Sequence, residues 1–124
     1  MSDIGSQEEL EAQLVLELTV RDLGASLRFY TALGFTVARR TNDFAALRFG
    51  SAWLFLAVGA PQPATENNLR VLVPDVDAMW MTAQTMNAPV QRAIGDRSYG
   101  LRDFTVSDPD GFLIRFAAMI RPSP

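Results

Sequence analysis

The residues of this 124-residue chain that could carry chemistry are mainly charged side chains, because the sequence contains no cysteine and no histidine. Disulfides, Ser-His-Asp and Cys-His catalysis, and metal ions ligated by Cys or His are therefore excluded. A metal site built only from carboxylates is still allowed. The charge in the most unusual position is Arg115, which interrupts the apolar run between Phe112 and Phe116. Its surroundings are the first place to look for a functional site.

Around Arg115, residues 103–117 (DFTVSDPDGFLIRFA) predict two strands joined by a tight turn at residues 108–111. Pro and Asp suit the first positions of such a turn, and Gly accepts the positive φ that its end requires. The turn therefore explains Asp108 and Asp110, and we do not interpret them as a catalytic carboxylate pair. Alternation along the second strand gives it one bulky apolar face and one charged face, respectively Phe112, Ile114 and Phe116, and Leu113, Arg115 and Ala117.

Composition limits the class of protein further. Hydrophobic residues make up 48% of the chain, which is typical of one folded domain, and the net charge of −3 has the wrong sign for a nucleic-acid binder. No apolar run approaches the roughly 18 residues of a membrane span, and the N-terminus is too polar for a signal peptide. We expect a soluble cytoplasmic protein that binds neither nucleic acid nor membrane.

The elements that must position the charged residues occur twice. Residues 14–20 predict a strand, Asp22 is a typical helix N-cap, and Gly34 is a typical residue after a helix end. Three more strands are predicted at residues 35–41, 44–49 and 52–58. After a polar linker at residues 60–68, Asp75 repeats the N-cap of Asp22 at an offset of 53 residues. The second set comprises a strand at 69–73, a helix at 76–86, a strand at 90–94, a loop at 95–100 and the two strands within 103–117.

This internal repeat predicts an α+β domain of two βαβββ modules, residues 14–59 and 68–121. Pairing of the two sheets would leave a concave cup. The strand at residues 52–58 is apolar on both faces, so one face is expected to cover the core and the other to line a pocket or an interface. Residues 1–13 are polar and acidic, which predicts a flexible N-terminal segment. An arm that packs on a partner subunit is the alternative.

Two stretches, VRDLGASLRFYTALGF and YGLRDFTVSDPDGFLIRF, resemble the vicinal oxygen chelate superfamily. That superfamily includes glyoxalase I, extradiol dioxygenases, fosfomycin-resistance enzymes and bleomycin resistance proteins, and the resemblance extends over residues 14–118. Within it, NDFAALRF, NNLRVLVPDVDAMW and YGLRDFTVSDPDG are most similar to the bleomycin resistance group. The resemblance implies a homodimer that binds an antibiotic in its cleft without changing it.

The resemblance also implies where a metal would bind, and the residues there are unsuited to one. The superfamily's metal enzymes take ligands from four inward strand positions, usually His, Glu or Gln. The corresponding residues here are Val15, Phe55, Asn68 and Arg115. Valine and phenylalanine offer no donor atom, asparagine is a weak ligand, and arginine is a fixed cation. We therefore expect no metal and no cofactor, and disfavour a metal-dependent lyase or dioxygenase.

If those four positions face inward, strand alternation places further side chains beside them. The remaining faces of the strands are then uniformly apolar, as packing against helices demands. Tyr99 joins the set because the bleomycin-binding proteins carry an aromatic residue at the matching position, although an exposed tyrosine without a role is the alternative. Phe44 also falls at a matched position, but core packing explains it. The predicted ligand-binding residues are Val15, Glu17, Thr19, Trp53, Phe55, Asn68, Arg70, Leu72, Tyr99, Leu113 and Arg115.

The charges in this set allow two interpretations. Two arginines and one carboxylate would leave a net positive site, suited to a carboxylate or phosphate on an aromatic ligand. Alternatively, Glu17 pairs with an arginine and fills the space that a metal would occupy. The methionines and the tryptophan of the second helix (Met79, Met81, Met86 and Trp80) are expected on a mixed core and dimer face.

Three functions are consistent with these residues. The leading hypothesis is a metal-independent binding protein that sequesters a bleomycin-like antibiotic or another aromatic molecule. The first alternative is a metal-free enzyme of the same fold, with Glu17 as general base in an apolar pocket. The second is a structural or regulatory protein whose cup has lost its function.

Overall fold

The computed structural model describes residues 13–61 and 67–120. In chain order its elements are β1 (Leu16–Val20), α1 (Leu23–Ala32), β2 (Thr36–Arg40), β3 (Phe44–Phe49), β4 (Ala52–Val58), β5 (Asn68–Leu72), α2 (Val76–Thr85), β6 (Val90–Asp96), β7 (Leu101–Ser107) and β8 (Leu113–Met119). The predicted flexible segment at 1–13, the centre of the predicted linker and residue 121 lie outside the described residues, except for Gln13. None of the described helices is long and apolar enough to cross a bilayer.

The chain divides into two compact units, Met1–Gln62 and Pro63–Pro124, each with one four-stranded mixed sheet and one helix. The strand order is β1-β4-β3-β2 in the N-terminal unit and β5-β8-β7-β6 in the C-terminal unit. In both, the first strand pairs in parallel with the last, and the other pairs are antiparallel. The predicted α+β fold of two βαβββ repeats is thereby confirmed. The cup, which involves both units, stays a prediction.

Both helices begin and end as the sequence indicates. Asp22 and Asp75 accept hydrogen bonds from the backbone amides three residues ahead, at 3.1 and 3.0 Å. Each carboxylate thus satisfies one of the amides that a helix start leaves without a partner. After α1, Gly34 has a φ of +106°, and after α2, Asn87 has a φ of 55°. Glycine and asparagine tolerate this left-handed conformation better than other residues do.

The core of the N-terminal unit lies between α1 and one face of its sheet. That face carries Leu18 and Val20 of β1, Leu54 and Leu56 of β4, and Ala45 and Leu47 of β3, all with at most 9% of their surface exposed. Tyr30 of α1 is fully buried, and its ring meets the rings of Phe29 and Phe35 edge to face. The side chains that alternate with these residues point to the opposite face of the sheet.

The C-terminal unit is built in the same way. Phe104 of β7 stacks on Phe116 of β8 with 5.4 Å between ring centroids, and Trp80 of α2 meets Phe104 edge to face at 5.1 Å. Val106 and Ile114 complete this buried surface. The side chains that alternate with them, including Asp103, Thr105 and Arg115, therefore point to the face of the sheet that α2 does not cover.

The turn between β7 and β8 has the predicted form. Gly111 has a φ of +87°, and its amide donates to the carbonyl of Asp108 at 3.0 Å. One carboxylate oxygen of Asp108 also accepts from the amides of Asp110 and Phe112, at 2.9 and 2.8 Å. This structural role accounts for the burial of Asp108.

Several strand bounds differ from the predicted ones by two residues, among them that of β6, which continues to Asp96 where a loop was expected from Gly95. The pairing of β6 with β7 shifts register twice, between Val90 and Arg92 and between Arg92 and Gly95. Such irregularities break the strict alternation on which strand prediction depends. They explain why this strand was predicted too short.

Candidate functional site

Three aromatic side chains lie on the face of the N-terminal sheet opposite α1. Phe55 of β4 lies between Phe44 and Trp53, with ring centroids 5.3 and 6.4 Å away, both in edge-to-face arrangement. Phe44 and Phe55 are half-buried, whereas Trp53 is only 8% exposed. We call Phe44, Trp53 and Phe55 the aromatic face. Edge-to-face contacts of this kind hold the rings in a defined arrangement.

Two arginines lie over the aromatic face. The guanidinium carbon of Arg48 is 4.7 Å from the centroid of the Trp53 ring, and that of Arg39 is 5.6 Å from the centroid of Phe44. Both distances are within the range of cation–π attraction. The register explains one pair directly, because Arg48 of β3 lies opposite Trp53 of β4. The aromatic face therefore combines flat apolar surface with positive charge.

Glu17 and Thr19 lie at the edge of the same face. In the parallel pairing of β1 with β4, Glu17 is opposite Phe55 and Thr19 is opposite Ala57. Both side chains are exposed, and Val15, just before β1, is half-buried. Within the described part of the chain Glu17 forms no ion pair. The predicted pairing of Glu17 with an arginine is thus not formed among these residues.

In the C-terminal unit, Arg115 of β8 lies on the face of the sheet opposite α2. It is half-buried, and its Nε donates to Oγ1 of the fully buried Thr105 at 3.3 Å. Arg70 of β5 is directly opposite Arg115 in the parallel register. On the same two strands, Asn68 is opposite Leu113 and Leu72 is opposite Ala117. Asn68, Arg70 and Leu72 are exposed, and Leu113 is half-buried.

A buried carboxylate lies one row further along this face. The side chain of Asp103 is fully buried, and its Oδ1 accepts from Nε of Arg97 at 2.7 Å. Its Oδ2 accepts from the hydroxyl of Tyr99 at 2.6 Å. Nη2 of Arg97 donates in addition to the backbone carbonyls of Asp103 and Ala93. We call Arg97, Tyr99 and Asp103 the carboxylate network.

The carboxylate network keeps Asp103 ionised. Burial on its own raises the pKa of this carboxyl, but the hydrogen bonds from Tyr99 and Arg97, together with the charges of Arg97 and Arg115, outweigh it. The net effect holds the pKa of Asp103 below its ordinary value. A charged, doubly hydrogen-bonded carboxylate is therefore present at neutral pH.

The network also assigns a contact to Tyr99. Its side chain is 51% exposed, so its ring is open to solvent while its hydroxyl is held by Asp103. The hydroxyl contact gives Tyr99 a structural partner within the C-terminal unit. Whether its ring stacks on a ligand stays a prediction.

The predicted site residues thus fall into two sets, one in each unit. The set of the N-terminal unit comprises Val15, Glu17, Thr19, Trp53 and Phe55, and the set of the C-terminal unit comprises Asn68, Arg70, Leu72, Tyr99, Leu113 and Arg115. Sequence reasoning assigned Phe44 to the core and did not single out Arg39, Arg48, Arg97, Asp103 or Thr105. Alternation in β3 places Phe44, Ala46 and Arg48 on one face, and this pattern could have indicated that Phe44 belongs to the site.

The residues at the four positions that would ligate a metal do not fit one. Val15 and Phe55 have no donor atom, and Arg115 is a cation that already donates to Thr105. Among residues 13–61 and 67–120, no group of three or more His, Cys, Asp or Glu side chains is close enough to hold an ion. The donor set is therefore unsuited to a divalent metal.

A separate groove of about 430 Å³ lies at the start of α2. Its charged lining residues satisfy one another, because Arg102 donates to Asp77 at 2.9 Å and to Asp96 at 3.1 Å. These two hydrogen bonds raise the pKa of Arg102 above its ordinary value. None of the predicted site residues lines this groove.

Two βαβββ repeats with helices on one face of each sheet define the class of this protein as glyoxalase-like. The chain belongs to the Glyoxalase/Bleomycin resistance protein/Dioxygenase superfamily, whose family model matches residues 12–116. The predicted superfamily is therefore confirmed. No functionally curated protein is significantly similar to the sequence.

Solved structures agree with this assignment. A glyoxalase/bleomycin resistance protein/dioxygenase from Alicyclobacillus acidocaldarius is 22% identical, with 87% of this chain and 91% of that chain covered and a TM-score of 0.74. The fosfomycin resistance protein FosX from Listeria monocytogenes is 16% identical, with 90% and 95% covered and a TM-score of 0.78. A bleomycin-binding protein complexed with bleomycin is 19% identical, with 89% and 100% covered and a TM-score of 0.68. At these identities the similarity shows the fold, and function must be argued from the site.

Proposed function

We propose that this protein is a metal-independent small-molecule binding protein, whose ligand is a bleomycin-like antibiotic or another aromatic molecule. The observation that carries the proposal is the aromatic face, formed by Phe44, Trp53 and Phe55 under two arginines. The helix of the same unit packs on the opposite side of the sheet, and Phe44 and Phe55 keep part of their surface exposed, whereas Trp53 is buried. A homodimer and a cytoplasmic location belong to the same proposal.

The physical basis is that flat apolar surface with a few polar groups is what small-molecule sites offer. The half-buried Phe44 and Phe55 provide area on which a ligand ring can stack. The arginines can form cation–π contacts with that ring or pair with a negative group on it. The bleomycin-binding protein of the same fold supports an antibiotic as ligand. The positive charge of Arg48 beside Trp53 instead supports an aromatic acid. The two ligand classes are therefore compared in one experiment.

Metal independence is supported by the donor set described above. A fixed cation at Arg115 and apolar side chains at Val15 and Phe55 would leave a divalent ion with too few ligands. Stoichiometric transition metal in the purified protein, together with metal-dependent turnover, would contradict the proposal.

The test uses the two tryptophans of the chain as separate reporters. Bleomycin and a panel of aromatic carboxylic acids are titrated while tryptophan fluorescence is recorded. Trp53 contacts Phe55, whereas Trp80 packs on Phe104 in the core of the other unit. We expect saturable quenching at one site per subunit that Trp53→Phe abolishes and that Trp80→Phe leaves intact. Quenching that survives Trp53→Phe and is lost with Trp80→Phe would contradict the proposed site.

The contribution of the aromatic face is tested by Phe55→Ala. Removing this ring takes away an aromatic contact of about 1 kcal/mol, so we expect affinity for the aromatic ligand to fall at least about fivefold. Isothermal titration calorimetry measures the change. Met81→Ala removes a side chain that is 70% exposed on α2 and serves as the control for truncating apolar surface. Equal affinity of wild type and Phe55→Ala would mean that the ligand binds elsewhere.

The second candidate is a metal-free enzyme, and the position of Glu17 favours it. This carboxylate is exposed rather than enclosed in the apolar pocket that the sequence predicted, but it forms no ion pair among the described residues and lies opposite Phe55 on the aromatic face. A general base needs such an accessible carboxylate beside the bound substrate. If it acts in this way, Glu17→Gln lowers the rate of product formation by about 100-fold or more and leaves ligand affinity within about twofold of wild type. Product analysis by mass spectrometry after incubation measures the first, and calorimetry the second.

A further inference from the structure

Two arginines lie side by side on the face of the C-terminal sheet opposite α2. Arg70 and Arg115 are register partners on neighbouring parallel strands, so their side chains leave the same face about 5 Å apart at the backbone. Like charges in directly opposite positions destabilise a sheet. The row continues through Thr105 to a third arginine, Arg92, on β6. The repulsion between these arginines lowers the stability of the fold, so their placement points to a requirement other than stability.

The described part of the protein does not neutralise the pair. Neither Arg70 nor Arg115 forms an ion pair within residues 13–61 and 67–120, and the hydrogen bond given for Arg115 goes from Nε to the hydroxyl of Thr105. A guanidinium carries five N–H donors, so most of those on Arg115 are left for another acceptor. Because Arg115 is half-buried, water satisfies these donors less well than it does at a fully exposed arginine.

The carboxylate closest in the sheet is already engaged. Asp103 lies one row from Arg115 on the neighbouring strand, and both its oxygens accept hydrogen bonds, one from Arg97 and one from Tyr99. Its charge and that of Arg97 cancel. The pair of Arg70 and Arg115 therefore keeps a local charge of about +2 beside a neutral ion pair.

From this geometry we infer that Arg70 and Arg115 form a site for a dianionic tetrahedral group, a phosphate or a phosphate monoester. Two guanidinium groups match two negative charges, and planar N–H pairs suit phosphate oxygens. The inference rests on the proposed function, because it names the charged group of the small molecule that the protein would bind. Arg97 and Tyr99 each bind one carboxylate oxygen of Asp103, and Arg115 donates to Thr105.

The first test measures stability without ligand. In phosphate-free buffer at low ionic strength, Arg70→Met is expected to raise the thermal midpoint by about 1–3 °C, because it removes the repulsion from Arg115. Arg28→Met, which removes an exposed arginine of α1, is the charge-matched control and is expected to change the midpoint by less than about 1 °C. A lowered midpoint for Arg70→Met would overturn the inference, since Arg70 would then serve stability.

The second test adds inorganic phosphate, phenyl phosphate and, as controls, benzoate and phenol. Calorimetry is expected to show phenyl phosphate bound about tenfold or more tightly than benzoate, and phenol not bound. Arg70→Met and Arg115→Met should each weaken phenyl phosphate by about tenfold or more, with Arg28→Met unchanged. Binding should also weaken as salt rises. Equal losses in all three variants, or equal affinity for benzoate, would overturn the inference.

The outcomes separate this inference from the proposed function. If bleomycin or the aromatic acids bind with the expected dependence on Trp53 and phosphate neither binds nor competes, the inference fails and the proposed function stands. If inorganic phosphate binds with the expected dependence on Arg70 and Arg115 and no aromatic ligand binds, the anion site stands and the proposed function fails.

Discussion

Replacing Asp103 by alanine is expected to lower the free energy of unfolding by about 3–5 kcal/mol. The side chain of Asp103 is fully buried and that of Arg97 is only 14% exposed, so the substitution leaves a nearly buried guanidinium without its counter-ion. It also removes the acceptor of the Tyr99 hydroxyl. Small domains have total stabilities of about 5–15 kcal/mol, so this single change is a large fraction of the whole. Urea denaturation followed by circular dichroism measures it.

The pH dependence provides a second, milder measurement should the alanine variant fail to fold. The pKa of Asp103 in the folded protein lies below its ordinary value of 3.8, so the ionised carboxylate contributes stability above that pH. The contribution is lost as the pH falls through the folded-state pKa. Wild type should therefore exceed Asp103→Asn in stability by a constant amount at neutral pH, and the difference should shrink below about pH 4.

Asp96→Asn is the matched control for both measurements. Asp96 pairs with Arg102 in the same unit, but its side chain is 62% exposed and Arg102 keeps Asp77 as a partner. Exposed ion pairs contribute about 0–1 kcal/mol, so this variant should differ little from wild type at any pH. A similar loss in Asp96→Asn and Asp103→Ala would contradict the special role of the buried carboxylate.

The second large effect is expected for Phe104→Ala, at about 3–5 kcal/mol. Phe104 is fully buried between the Trp80 and Phe116 rings, with centroid distances of 5.1 and 5.4 Å. Removing it costs the transfer free energy of the ring, the two aromatic contacts and the cavity that remains. Equilibrium denaturation gives the loss, and the fluorescence of Trp80 reports the opened packing directly.

Phe104→Leu is the control, because leucine refills most of the volume and is expected to cost clearly less than alanine. Met119→Ala, on a neighbouring strand but 77% exposed, should be nearly neutral. A loss below about 1 kcal/mol for Phe104→Ala would show that the unit does not depend on this aromatic cluster.

Asp103 and Phe104, the sites of the two large effects, are adjacent residues of β7, which explains why each effect is large. β7 lies between β8 and β6, so it has no free edge. Phe104 points to α2, whereas Asp103 and Thr105 point to the other face, and all three are fully buried. The same strand thus supports the core with one face and the arginine site with the other.

Local patterns in the sequence were sufficient for the fold. The N-caps Asp22 and Asp75, the turn ending at Gly111 and the strand at Ala52–Val58 depend on neighbours within a few residues, so residue type and alternation predicted them. Alternation also indicated which face of each strand carries Glu17 and Arg115. The short prediction of β6 arose where register shifts break that alternation.

The sequence by itself determined the βαβββ repeat, since residue type and spacing set its elements. Its resemblance to the superfamily also indicated the four matched positions, whose residues are unsuited to a metal. Only the tertiary structure decided which side chains contact one another. Arg48 lies over Trp53, Arg70 lies opposite Arg115, and Asp103 binds Arg97 and Tyr99. Each of these pairings depends on strand register and on loop conformation. Such features are set by the packing of the whole unit, because a shift of one residue in register would send every side chain to the other face.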